Sequence, residues 1–278
     1  MAWNERLLGL LRQKSLPAWF EVAPFIVWLG MTAYAKTSIT LAQSVDPTIE
    51  VESLESDSPP ARESYLGRKI APTMSYAHAG WLVRSERQQE EDPKTALEQL
   101  QLKPGMIVCD MGCGNGFYSI EMAKQIAPGG KVLAVDIQQE MLHLLHLRAE
   151  ETGIDNIETI LGELTNPHLP LASVDLVLMV DVYHEFSHPE QMLAAIRRSL
   201  KPGGRIALLE FRAEDPKVPI LPLHKMSKRQ ILREYRANGF RLGSQFDDLP
   251  WQHLMFFESD PDWKPGRLKK ENESNSGN

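Results

Sequence analysis

Val108-Cys109-Asp110-Met111-Gly112-Cys113-Gly114-Asn115-Gly116-Phe117 is the stretch on which the reading of this chain turns. The apolar run Met106 to Met111 predicts a strand and Phe117 to Ala127 a helix, so three glycines at alternate positions form the turn between them. Glycine lets backbone approach a ligand closely and take conformations closed to residues with a Cβ. Twenty residues past Gly116, a second apolar run, Lys131 to Val135, ends in Asp136. Parallel α/β sheets place ligands at the carboxyl ends of their strands. A carboxylate there can accept both hydroxyls of a ribose, so an adenosine-like ligand is expected.

The glycine spacing narrows the choice. A dinucleotide fingerprint is G-x-G-x-x-G, its last glycine packing helix on strand. Here glycines fall at 112, 114 and 116, and Phe117 stands where the third is required. No Gly-Lys-Ser/Thr follows, which argues against a P-loop. What remains is D-x-G-x-G-x-G after a strand, and with it the chain resembles the class I S-adenosylmethionine-dependent methyltransferases over about residues 90 to 260.

Further segments fall in the order that resemblance requires. Gln138 to Glu151 reads as a helix with Met141, Leu142, Leu144, Leu145 and Leu147 as its apolar face; Ile157 to Leu161 is a short strand ending at Gly162-Glu163-Leu164. Leu171 to Val180 is a buried strand that ends at Asp181-Val182-Tyr183-His184-Glu185-Phe186. A helix carrying Met192, Leu193, Ile196 and Leu200 follows, then the turn Leu200-Lys201-Pro202-Gly203-Gly204 and a strand from Arg205 to Phe211. Ser227-Lys228-Arg229-Gln230 predicts a capping box, and Asn238-Gly239 the stop of its helix. Arg241 to Phe246 and His253 to Glu258 are strand-like. Apolar strands alternating with amphipathic helices argue independently for a mostly parallel α/β sheet. The resemblance implies a Rossmann-like, seven-stranded sheet with an antiparallel C-terminal hairpin and helices on both faces.

It also implies S-adenosylmethionine as cofactor and roles for particular residues. Asp110, Gly112, Gly114 and Gly116 would surround the methionine end, Asp136 would hold the ribose and Ile137 would lie against the adenine. Glu163, replacing the commoner aspartate, and Leu164 would meet the adenine edge, and Asp181 would serve the methionine side. A sulfonium methyl is already electrophilic, so transfer mainly needs the nucleophile held in line and water excluded. Where a base is needed, His184 is the catalytic candidate, because it follows the fourth strand and imidazole accepts protons near neutral pH. Glu185 and Tyr183 are neighbours that could orient a substrate. His143 and His146 read as a polar rim, His188 and His224 as loop residues, and no metal site is assigned.

Composition sets limits. At 278 residues and 42% hydrophobic, the chain can hold one substantial core with appendages. Net charge is −7 and basic residues are scattered, which disfavours nucleic acid as a partner. The loop after the fourth strand has no Asn/Asp-Pro-Pro-aromatic run and no Pro-Cys nucleophile, so a small-molecule acceptor is expected. Cys109 and Cys113 both lie inside the glycine motif, where small-residue packing is the expectation and a disulfide is not.

The rest of the chain divides by composition. In residues 1–42, Arg6, Arg12 and Lys14 precede an uncharged run, Val22 to Ala35, that ends in an A-x-A-like site. This layout predicts a signal peptide or membrane anchor, against the plainer reading of an amphipathic arm on the domain. Glu21 makes a full bilayer span costly. Membrane association or export is therefore expected, with the side of the membrane open, since S-adenosylmethionine is made inside the cell. Residues 43–63 are acidic and read as a linker, 64–92 as a lid segment with Tyr76, His78 and Trp81 as candidates by resemblance, 93–261 as the catalytic domain and 262–278 as a polar tail. Asp92-Pro93 predicts the helix start that leads into the domain. Besides a methyltransferase, a non-catalytic S-adenosylmethionine-binding protein and a nucleotide-dependent oxidoreductase stay open, the latter opposed by Phe117.

Overall fold

The computed structural model describes residues 59–264. The expected N-terminal signal or anchor lies outside these residues, as do most of the acidic linker and most of the tail. Among the described residues no helix is long and apolar enough to cross a membrane.

Chain order begins with a small hairpin, β1 (Ser64–Tyr65) and β2 (Arg68–Lys69), then a 3-10 segment Tyr76–Val83, α1 (Arg87–Glu90) and α2 (Pro93–Gln99). The core follows as β3 (Ile107–Met111), α3 (Phe117–Ile126), β4 (Lys131–Asp136), α4 (Gln139–Thr152), β5 (Ile157–Leu161) and β6 (Val174–Val180). It closes with α5 (Pro189–Ser199), β7 (Leu200–Phe211), α6 (Lys228–Ala237), β8 (Phe240–Phe246) and β9 (Gln252–Ser259). The seven-stranded sheet has the order β5-β4-β3-β6-β7-β9-β8. β9 is inserted antiparallel between β7 and β8, and the other neighbours are parallel.

Period-two alternation along the strands builds two cores. Val108 and Ala134 face α2, α3 and α4, meeting Leu97, Met122, Ile126 and Leu145. Cys109, Met111 and Val135 face the other way, toward Leu193 and Ile196 of α5 and Ile231 and Tyr235 of α6. With both faces covered, β3 and β6 read as nearly continuous apolar runs, which is why the sequence betrays them. Full burial of side chains such as Ile196 and Leu145 contributes roughly 1.5–3 kcal/mol each.

Several local expectations are revised. Leu147 is exposed, and Ala149 completes the buried stripe of α4. Leu171 is exposed because Ala172, at φ +46°, turns the chain just before β6. The Lys201 to Gly204 turn is a bulge within a continuous β7, since Val174 pairs with Leu200 and Leu176 with Arg205. Only half of the capping box forms: Ser227 Oγ accepts from Gln230 N–H (3.2 Å), but the Gln230 amide donates to Leu66 O and Glu234 Oε1 instead of turning back. Asp92 caps α2 as expected, accepting from Thr95 N–H (3.2 Å). Cys109 and Cys113 are buried free thiols. His188 is not a free loop residue: it is buried, with Nε2 2.6 Å from Pro59 O and Nδ1 2.9 Å from Ser187 Oγ.

Candidate active site

The parallel strands end together, and their carboxyl ends, with the loops that follow, wall a cavity of about 510 Å³. β3 contributes Met111, Gly112 and Gly114; β4 contributes Val135 to Gln138; the turn after β5 contributes Gly162 to Leu164. Val180 to Val182 and His184 to Ser187 form the far wall, Phe211 and residues 219–221 with His224 the end away from the glycines, and Met74, His78, Trp81 and Leu82 cover it.

At the glycine end Asp136 is the organising group. Its Oδ2 accepts from Gly114 N–H (2.9 Å) and its Oδ1 from Gln138 N–H (2.9 Å), so one buried carboxylate ties both loops. Burial raises its pKa, and those two bonds oppose the shift. Gly112 and Gly114 present bare backbone to the cavity; a Cβ on Gly112 would lie 2.4 Å from Val182 Cγ2. Ile137, Glu163 and Leu164 also line it; Glu163 and Leu164 are exposed, Glu163 with its carboxylate 3.1 Å from His168 Nε2. Asp181 is half-buried on the opposite wall. Its Oδ2 accepts from Gln252 Nε2 (2.7 Å), while Oδ1 has no partner among the described residues.

Two residues expected at the methionine end stand behind the wall rather than on it. The Asp110 side chain points toward α3, where it accepts from Ser119 Oγ (2.6 Å), and burial pushes its carboxyl up to about 6. Gly116, at φ +79°, is a packing glycine: a Cβ there would fall 2.0 Å from Leu145 Cδ1. The strand's alternation accounts for Asp110, and close approach of α3 and α4 accounts for Gly116.

The other end is built on His184, in the 3-10 turn after β6. Glu210 of β7, wholly buried, accepts from the His184 backbone N–H with Oε1 (3.1 Å) and lies 2.7 Å from Nδ1 with Oε2. This fixes Nδ1 as the protonated nitrogen. His184 Nε2 faces His224 Nδ1 at 3.1 Å, the rings nearly perpendicular. Glu185 Oε1 is 4.0 Å from His184 Nε2 and accepts from Met74 N–H (3.2 Å). Burial works against the His184 imidazolium, but the Glu210 carboxylate outweighs it and the pKa rises. Burial also pushes Glu185 up to about 7 and, with help from His184, moves His224 down. Tyr183, expected to orient substrate, is instead a core residue: it is buried and donates to Glu234 Oε2 (2.8 Å).

Residues 73–82 are stitched over the cavity. Gln138 Nε2 donates to Met74 O (2.9 Å), Tyr76 N–H donates to Gln138 Oε1 (2.8 Å), and Asn115 Nδ2 donates to Ala79 O (2.9 Å). Of the three candidates in this segment, His78 and Trp81 line the cavity and Tyr76 does not. Arg84 stacks on Trp81, its guanidinium carbon 3.7 Å from the ring centre, and pairs with Glu91 together with Arg87.

The methyltransferase domain family model matches residues 102–245, just over half of the chain. The chain belongs to that family. The methyltransferase domain is 26% identical to a solved S-adenosylmethionine-dependent methyltransferase from Aquifex aeolicus, with a TM-score of 0.63, covering 66% of this chain and 98% of that one. A putative type 11 methyltransferase from Sulfolobus solfataricus shares the fold, with a TM-score of 0.51 over 64% of this chain and 97% of that one at 22% identity. Among curated relatives, a nocamycin O-methyltransferase of Saccharothrix syringae is 31% identical over 153 residues, 55% of this chain and 49% of the relative. A demethylmenaquinone methyltransferase of Lactobacillus johnsonii is 32% identical over 160 residues, 57% of this chain and 63% of the relative. The chain thus spans less than two thirds of the length of these curated relatives.

S-adenosylmethionine, the cofactor of this family, suits the residues present. The methyltransferase domain offers a buried carboxylate in Asp136, a wall of bare backbone at Gly112 and Gly114, and on Asp181 a buried oxygen, unpartnered among the described residues, that a cationic group would satisfy. Sequence reasoning missed Glu210 and His224. Glu210 did carry a signal, as a lone carboxylate inside the apolar run Ala207-Leu208-Leu209-Glu210-Phe211.

Proposed function

We propose that this methyltransferase domain methylates a small, largely apolar acceptor whose polar reacting end sits against His184 and His224. The observation that carries the reading is the continuity of one cavity from Asp136, Gly112 and Gly114 to the His184–His224 pair. When bound, S-adenosylmethionine supplies an electrophilic methyl group on a sulfonium. Asp136, Gly112, Gly114, Ile137, Glu163, Leu164 and Asp181, which line the cavity, would hold it.

The remaining work falls to the other half of the cavity. Trp81, Phe211, Ile220 and Leu221 give the acceptor body an apolar surface, and the covering residues 73–82 exclude water, which is most of what methyl transfer needs. The expectation of His184 as a lone general base is refined: Nδ1 is held by Glu210 and Nε2 by His224, so contact with an acceptor runs through the pair. The names of the O-methyltransferase and demethylmenaquinone methyltransferase relatives support an oxygen-bearing, lipophilic acceptor.

The test is labelled-methyl transfer by the full chain to a panel of lipophilic phenols, quinols and enols, with S-adenosylhomocysteine formation as a second readout. Transfer to at least one hydroxyl acceptor, abolished by Asp136→Ala, is expected. Tight cofactor binding with no turnover on any acceptor would favour a non-catalytic binding protein.

A further inference from the structure

We infer that His184, Glu185 and His224 form a binding site for a divalent transition-metal ion of the zinc type. Their donor atoms, two imidazole nitrogens and one carboxylate oxygen, all lie within 4.8 Å of one another at the polar end of the cavity. Ligand atoms bonded at about 2.0–2.2 Å to one ion lie roughly 3.0–3.6 Å apart. The 3.1 Å between His184 Nε2 and His224 Nδ1 falls in that range, and Glu185 Oε1, 4.0 Å from His184 Nε2, stands just outside it.

Three independent features of the surroundings point the same way. Glu210, wholly buried, fixes the His184 tautomer so that the Nε2 lone pair faces the cluster, an arrangement metal-ligating histidines use to orient the ring and raise its basicity. Glu185 is largely buried and, among the described residues, has no lysine or arginine partner; its one hydrogen bond is from Met74 N–H. A buried carboxylate without a cation is costly, and a divalent ion would remove that cost. Finally, the two imidazoles meet nitrogen to nitrogen, so one proton must be shared where one metal would satisfy both lone pairs.

The donor set selects the ion. Two imidazoles and a carboxylate suit Zn²⁺, Fe²⁺, Co²⁺ or Mn²⁺, whereas Mg²⁺ and Ca²⁺ prefer oxygen-only cages. Three protein ligands leave at least one position open toward the cavity, as in catalytic rather than structural zinc sites. An acceptor oxygen placed there would be held and polarised by the ion. That role deepens the acceptor assignment and rests on it, but the binding itself does not.

The experiment uses tag-free full-length chain stripped with chelator, titrated calorimetrically with Zn²⁺ and Mg²⁺ and spectroscopically with Co²⁺. S-adenosylmethionine titrations run in parallel. One Zn²⁺ per chain, a visible Co²⁺ band, and no comparable Mg²⁺ binding are expected. His224→Ala should weaken Zn²⁺ at least 100-fold and Glu185→Gln at least 10-fold, while a His143→Ala/His146→Ala control on the exposed face of α4 should change nothing. Zn²⁺ binding that survives His224→Ala, or S-adenosylmethionine binding with no Zn²⁺ binding, overturns the metal site and leaves the methyltransferase reading intact. Zn²⁺ binding without S-adenosylmethionine binding supports the metal site and overturns the cofactor's place in this chain. His224 is partly exposed and ends a short 3-10 turn, Pro222–His224, so its substitution tests ligation without threatening the core.

Discussion

Leu82 fills the space that a side chain on residue 114 would need: a Cβ built on Gly114 falls 2.5 Å from Leu82 Cδ1. The glycine loop and the segment above it are therefore shaped to each other.

Gly114→Ala and Gly116→Ala are expected to fail differently. Gly114, at φ +52°, lines the cavity and its neighbour is the end of a flexible side chain. Its alanine variant should stay folded at a cost of about 1–2 kcal/mol and lose at least tenfold in S-adenosylmethionine affinity. Gly116 adds overpacking against buried Leu145, so Gly116→Ala should cost about 2–5 kcal/mol in urea unfolding. Equal losses of stability in the two variants would contradict the assignment.

Asp136→Asn keeps the shape of the side chain and removes its charge. The carboxylate's bonds to Gly114 and Gln138 weaken, and any ribose contact loses its charged acceptor. Affinity for S-adenosylmethionine should fall by about 2 kcal/mol, roughly 30-fold, in calorimetry. An unchanged affinity would remove Asp136 from the cofactor site.

Stability of the ligand-free protein should depend on pH through Asp110. Burial raises its pKa from 3.8 to about 6, so the folded state binds the proton more tightly than the unfolded chain does. The stabilisation is complete below about pH 4 and is lost as pH rises through about 6, a swing of roughly 3 kcal/mol. Asp110→Asn lacks the swing. Unfolding free energy of the variant minus that of the unmodified chain should rise by about that amount between pH 4 and 7; a flat difference would refute it.

Arg68 holds the turn that carries His184. Its guanidinium pairs with Glu234 through two bonds (2.8 and 3.0 Å) and donates to His184 O (2.7 Å). Arg68→Met leaves Glu234 charged, buried and unpaired, at a cost of about 3–5 kcal/mol. Adding Glu234→Gln, which keeps an acceptor for Tyr183, should recover part of that loss. A double variant less stable than Arg68→Met alone would count against the pair.

Much of this architecture is legible in the chain because buried parallel strands leave nearly continuous apolar runs. Ile107 to Met111 and Val174 to Val180 are such runs, and the glycines and Asp136 mark where they end. Errors cluster where a local pattern competes with tertiary contacts. Leu171 continues an apolar run but sits before a turn, and Gln230 satisfies a capping motif yet finds better partners in Leu66 and Glu234. His184 could be singled out by its place after a strand. His224 could not, since forty residues separate it from His184 and only the fold brings the rings together. For Asp110 the motif fixes the position along the strand but not the face its side chain takes, and that side chain turns to Ser119 rather than into the cavity.

Met74 ties both halves of the cavity through its own backbone. Its N–H is held by Glu185 at one end and its C=O by Gln138, next to Asp136, at the other. Residues 73–82 cannot be lifted from one half without giving up a bond at the other. One residue of the covering segment is therefore a shared fastening, and Gln138→Ala or Glu185→Ala removes one of its two bonds and leaves the other.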